Sequence, residues 1–260
     1  MLTGNYMNTI YGHEAILRNY CGVKLPYVVP GLLEHGWEPN FREGKDLINA
    51  PLSEKSELHL VVHERGYWEA KKHGYNVAAI GAPILYLQPQ ELPEPHDKSL
   101  LLFPSHSTPE FPFIDPMDRF RVYLKDIQPL LEHFHPITAC LFWFNYQDKQ
   151  IRKIYEDAGL ATTTVGHIDD HSFLYKLRNL MGQHSYVSSN ELATALIYAL
   201  YWHRKVFLYG TPRKLEELDT RRSEKTRTLS IDAIKANTCN VQSMYPELRW
   251  KNFDDCIWSF

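Results

Sequence analysis

A chain of 260 residues, 44% of them hydrophobic, carries enough apolar side chains for a sizeable core, which excludes intrinsic disorder and leaves one large domain or two small ones. Its formal net charge of −3 gives no general attraction for nucleic acid, and the basic run Arg221, Arg222, Lys225 and Arg227 is interrupted by Glu224, so it reads as a solvated face that could also meet acidic phospholipid. Cys21, Cys140, Cys239 and Cys256 show no Cys-x-x-Cys spacing and follow no secretory leader, as expected of reduced cytosolic thiols, and no apolar run approaches the ~20 residues that span a bilayer.

In chain order, residues 11–20 predict a helix ended near Gly22, and residues 27–29 a short strand. A loop rigid with Pro and Gly follows, containing Glu34, His35, Gly36 and Trp37. His13-Glu14 begins like a zinc-protease helix, but position 17 is Leu where a second His is required, and His63-Glu64 fails in the same way at Tyr67; no metal site is read there. Residues 58–62 predict a strand, 64–73 a helix and 77–80 a third strand. The stretch 88–99, rich in Pro and charge and without periodicity, predicts the domain boundary. The expected division is therefore an N-terminal half over 1–88, a linker over 89–99, and a second half over 100–260 that ends in C-terminal helices.

From there the pattern is regular. Residues 100–103 predict a strand ending in Pro104-Ser105-His106-Ser107, and Asp115-Pro116 places N-cap and first-turn residues for a helix. Residues 137–144 predict a strand ending at Asn145, 147–158 a helix stopped by Gly159, 161–165 a strand ending at Gly166-His167, and 170–181 another helix. The stretch 186–210 reads as strand, polar turn at Ser188, Ser189 and Asn190, buried helix through Tyr201, and strand 205–209. Ser188 followed by Glu191 has capping-box spacing, so a helix is expected to start there with free N–H groups that suit an anion; the plain alternative is a cap and nothing more. Strand and helix alternating through five strands are the signature of a doubly wound parallel sheet, an α/β fold whose ligands sit beyond the carboxyl ends of the strands. No dinucleotide fingerprint, no Walker-type loop and no Gly-x-Ser-x-Gly elbow is present, so NAD, ATP and an α/β-hydrolase are not supported.

The segments NVAAIGAPILY and YVSSNELATALIYALYWHRKVFLYG resemble GT-B glycosyltransferases of bacterial surface-polysaccharide (capsule or O-antigen) assembly, closest to those with CMP- or CDP-activated donors. The likeness covers the second half well and the first in outline. It implies a GT-B-like α/β fold of two Rossmann-like halves, the N-terminal one reduced. The implied activity is transfer of a sugar from a nucleotide-activated donor to a cell-surface glycan or its lipid-linked precursor, with no cofactor and no required metal. It further implies a cytoplasmic location, with peripheral contact to the inner membrane or to other assembly enzymes, and no nucleic-acid partner. Ser105, His106, Ser107, Ser188, Ser189 and Asn190 would hold the donor phosphate, although the proline that often follows this histidine in the family is replaced by Ser107. Gly166 and His167 would edge the nucleobase or ribose. Glu14 and His35 are the candidates for the base that takes the acceptor hydroxyl proton, with an exposed helix carboxylate as the plain reading of Glu14. The alternatives are a nucleotide-sugar epimerase, a polyol-phosphate transferase, or a non-catalytic module that binds a glycan or scaffolds an assembly.

Overall fold

The computed structural model describes residues 6–24, 27–34, 36, 58–109 and 111–214. The chain divides into two compact units, Met1–Glu91 with His167–Lys176, and Leu92–Gly166 with Leu177–Phe260.

In the first unit, α1 (His13–Tyr20) is entered through Gly12, whose φ of 75° and whose approach to His171 O, 2.3 Å from where a Cβ would stand, leave room for glycine alone. The stretch 167–176 belongs to this unit through specific contacts: Tyr11 N donates to Ile168 O at 2.6 Å, the Tyr6 hydroxyl donates to Asp169 at 2.7 Å, and the Tyr11 and Phe173 rings lie 4.6 Å apart. The strands β1 (Leu32–Leu33), β2 (His59–Val61) and β3 (Val77–Ala79) form a parallel sheet in that order. Between β2 and β3 runs α2 (Glu64–Lys72), capped by His63, whose Nδ1 accepts from Gly66 N, and Val61, Ala70, Tyr75 and Val77 form a small core.

The first strand falls later than the sequence predicts. Val29 N is taken by the Glu14 carboxylate and Pro30 has no N–H, so residues 27–29 cannot supply the ladder; pairing starts only after Gly31, which turns at φ 88° against Leu58.

The second unit contains β4 (His96–Phe103), α3 (Pro116–Asp126), β5 (Ile137–Cys140), α4 (Trp143–Tyr146), α5 (Lys149–Glu156), β6 (Ala161–Thr163), the later part of α6 (Phe173–Gly182), β7 (His184–Ser189), α7 (Thr194–Tyr201) and β8 (Lys205–Leu208). All five strands are parallel, in the order β6-β5-β4-β7-β8. This is the α/β, Rossmann-like parallel sheet expected from the alternation. Leu100 and Leu102 of the buried β4 pack with Phe120, Tyr123 and Ile127 of the α3 segment, and with Ile137 and Tyr155, in one core. The caps stand where the sequence puts them: Asp115 accepts from Asp118 N at 2.9 Å and Asp148 from Gln150 N at 2.8 Å.

Three boundaries differ from the sequence reading. Residues 96–99, assigned to the linker, open β4 across a register shift between His96 and Leu100; the Ser99 hydroxyl donates to His96 O and accepts from Ser185 N, so side-chain bonds replace ladder bonds and conceal the strand pattern. The stretch 137–144 ends as a strand at Cys140, and Trp143–Tyr146 turns into a short helix. The capping box at Ser188 does not form. Ser188 and Ser189 complete β7, and the helix begins at Thr194 after Ala193. Among the described residues no helix is long and apolar enough to cross a membrane.

The buried His184 ties three elements together, with Nδ1 2.8 Å from Leu180 O and Nε2 3.0 Å from Thr138 Oγ1. Burial lowers its pKa, so the unfolded chain binds a proton before the folded one does. Stability is therefore full above the unfolded value of about 6.5 and falls as the pH drops through it, by up to about 1.4 kcal/mol per pH unit until the folded histidine titrates. Denaturant unfolding between pH 8 and pH 5 (values chosen to bracket about 6.5) is expected to show this loss, and His184→Asn to flatten it while lowering stability at neutral pH.

Candidate active site

The chain order of the five strands creates one switch point. From β4 the chain moves outward to β5 and β6, then crosses back to β7 on the other side of β4. Crossovers leave in opposite directions there, and the crevice beyond the carboxyl ends of β4 and β7 is where open α/β sheets take their ligands. Ser105, His106 and Ser107 follow β4; Asn190 and Glu191 follow β7; Gly210 to Lys214 follow β8.

Asn190, fully buried, is the hub of this edge. Its Oδ1 accepts from Ser105 N at 2.7 Å, and its Nδ2 donates to Ser105 Oγ at 3.0 Å and to Thr211 O at 2.8 Å. The buried Arg119, one turn inside α3, donates from Nη2 to Ser105 Oγ at 3.0 Å and to Thr211 O, while Asp126 accepts from Thr211 N at 2.6 Å. Asn145 fixes the next loop: its Oδ1 accepts from Ser107 N and its Nδ2 donates to Ser107 Oγ at 2.9 Å. Ser105, Ser107 and Asn190 therefore spend their side chains holding loops.

The groups left with capacity lie beside them. Arg213 donates to His106 O at 2.6 Å and pairs with Glu191 at 3.1 Å, while its buried Nε meets no acceptor among the described residues. The Ser189 hydroxyl accepts from Glu191 N at 3.1 Å and keeps its own proton to donate. The half-buried His106 ring stacks on Phe142, centroids 4.3 Å apart. Burial, reinforced by the Arg213 charge, pushes its pKa down to about 3, so at neutral pH His106 is an uncharged imidazole rather than a cation.

Of the residues singled out from the sequence, Ser105, His106, Ser107, Ser189 and Asn190 come together at this edge. Ser188 does not present itself there. By register it faces the same side of the sheet as Leu102 and Phe207, and its buried Oγ has no partner among the described residues. Gly166 and His167, expected to edge the nucleobase or ribose, do not follow a strand adjacent to β7. The back-crossing leaves β5 and β4 between β6 and β7, roughly 14 Å at three strand spacings. Gly166 belongs to the second unit and His167 to the first, where its exposed ring accepts from Asp169 N.

Glu14 is not an exposed helix carboxylate; it is buried, with Oε1 accepting from Val29 N at 3.2 Å. His35 lies outside the described residues. The sequence reading missed Arg119 and Arg213. Arg119 could have been noticed as a charge beside Phe120 in the helical phase that Tyr123 and Ile127 keep apolar, and Arg213 as a cation three residues past the strand end Gly210.

Comparison of the chain with protein-family models, with curated proteins and with solved structures finds no match. Among the described residues no group of three or more His, Cys, Asp or Glu is placed to hold a metal ion.

The geometry separates two kinds of serine and amide. Asn190→Ala strands Ser105 N in a buried setting and leaves Thr211 O with Arg119 alone, and is expected to cost about 1–3 kcal/mol in denaturant unfolding. Ser189→Ala removes only the acceptor of Glu191 N, a single part-buried bond, and is expected to cost about 1 kcal/mol in the same measurement.

Proposed function

We propose that the protein is a metal-independent, GT-B-like glycosyltransferase. It moves a sugar from a nucleotide-activated donor, CMP- or CDP-linked by preference, to a bacterial cell-surface glycan or its lipid-linked precursor at the cytoplasmic face of the membrane. The observation that carries this reading is the meeting of the Ser105–His106–Ser107 loop and the Ser189–Asn190 loop at the switch point of a parallel sheet, with Arg213 between them and Glu191.

The chemistry follows from charge. A departing nucleotide gathers negative charge on its phosphate, and the site offers the Arg213 guanidinium, the Ser189 hydroxyl and a neutral His106 that can donate one hydrogen bond. The Arg213 guanidinium can turn its Nη2 from Glu191 toward phosphate while Nη1 keeps its bond to His106 O. Glu14 and His35 stand as the proposed base for the acceptor hydroxyl. The saturation of Ser105, Ser107 and Asn190 by internal bonds favours a second reading, a module that binds nucleotide or glycan without turnover.

Titration calorimetry with CMP, CDP, UDP, GDP and dTDP, together with slow hydrolysis of the matching donors, tests both. A cytidine nucleotide is expected to bind and its sugar conjugate to be hydrolysed, and Arg213→Ala to weaken binding by about 10- to 100-fold, the loss of one charge-assisted hydrogen bond, with Arg213→Lys intermediate. Binding without donor turnover would select the second reading. No nucleotide binding, or affinity untouched in Arg213→Ala, would overturn the transferase reading and the nucleotide-binding form of the second.

A further inference from the structure

The switch-point crevice has an aromatic side that the phosphate contacts do not use. His106 follows β4 and Phe142 follows β5, the neighbouring strand, and their rings stack with planes 27° apart and centroids 4.3 Å apart. Trp143 continues the row, its ring centroid 5.8 Å from that of Phe142. His106, Phe142 and Trp143 are all half-buried.

The stack is held from both sides along the chain. Ser105 is fixed by Asn190 and Arg119, and Ser107 by both polar atoms of the Asn145 amide, so the backbone of His106 is clamped between anchored neighbours. Arg213 donates to the His106 carbonyl. The imidazole takes part in none of this bonding. Neither of its nitrogens has a hydrogen-bond partner among the described residues, and burial together with the Arg213 charge keeps the ring uncharged at neutral pH.

We infer that His106, backed by Phe142, is the platform on which the base of a bound nucleotide stacks. This place for the base rests on the protein binding a nucleotide as proposed, and it lies at the crevice, where Gly166 and His167 do not. The ring stands at the carboxyl edge of the sheet, where folds of this kind take their ligands. Arg213, the cation suited to a phosphate, is bonded to the same residue that carries the ring, so the edge fits a ligand that joins an anion to a flat ring. A free sugar carries no anion, and a sugar phosphate carries no flat ring. Both rings of the platform are already fixed, so a third ring extends the stack at little cost in side-chain ordering. Stacking uses the face of the imidazole and leaves its edge, where it can still donate to phosphate. Because every base has a π-face, the platform supplies affinity for all nucleotides, and a preference for cytidine must come from groups at the rim of the base.

Calorimetry on the full chain with CMP and with ribose-5-phosphate tests it, because these ligands share a phosphate and differ by the base. The ratio of their affinities is expected to survive in His106→Phe, which keeps a flat ring, and to fall about tenfold in His106→Leu and in Phe142→Leu. A phosphate hydrogen bond lost with the imidazole acts on both ligands and cancels in the ratio. UMP and GMP should show the same fall as CMP. Proton NMR of CMP with the unsubstituted chain reads the stack even if a variant fails to fold: ring currents should move the cytosine ring protons upfield on binding, and the ribose protons less. If no nucleotide binds, the nucleotide reading fails and takes the platform with it. If CMP binds but the ratio is untouched in His106→Leu and Phe142→Leu, or the cytosine protons do not move, or the base-free sugar phosphate binds as tightly as CMP, the platform alone is overturned and the nucleotide reading stands.

Discussion

One buried amide holds the functional edge of the second unit in place. Asn190 follows β7 and binds, through both ends of its side chain, the loop that leaves β4 and the loop that leaves β8. Loop backbone at a switch point has no sheet partner, and a buried N–H or carbonyl left unmatched costs about 1–3 kcal/mol. Asn190, with Arg119 and Asp126, matches Ser105 N and both polar groups of Thr211. Asn145 repeats the device for Ser107. The crevice is thus preorganised, and the side chains available to a ligand are the few that this stitching does not use.

The electrostatics of that edge are nearly balanced before any ligand arrives. Arg213 is neutralised by Glu191, Arg119 lies near the Asp126 carboxylate through their shared contact with Thr211, and His106 carries no charge at neutral pH. A site of this kind does not attract anions from a distance. An anionic ligand would have to replace Glu191 as a partner of Arg213 at close range, so its selectivity would rest on the shape of the two loops and on hydrogen bonds rather than on long-range steering.

Much of the architecture was legible because it depends on patterns a few residues long. The apolar run at 100–103, the Asp115-Pro116 start and the Gly159 stop are local signals, and the elements formed where they point. What misled was long-range. Ser188 and Glu191 have the spacing of a capping box, but β4 and β8 draw Ser188 and Ser189 into the sheet through ladder bonds that no local motif reveals. The place of β6 could not be read either, because strand order depends on which side of β4 each crossover takes. Glu14 looked like a surface carboxylate because the helix pattern does not show that Val29, fifteen residues on, would need an acceptor. At the site itself the serines and the asparagine were visible as polar strand ends, whereas Arg119 and Arg213 join them only through tertiary contacts.

The central claim is that the switch-point crevice of the second unit is a nucleotide site. Hydrogen–deuterium exchange with and without saturating CMP or CDP tests it most directly, because it reports where the ligand sits without presupposing a reaction. The account predicts added protection in residues 104–108 and 189–193 and at Arg213, with the loop after β6 unchanged. Protection confined to other segments, or none at a concentration where calorimetry shows binding, would contradict it.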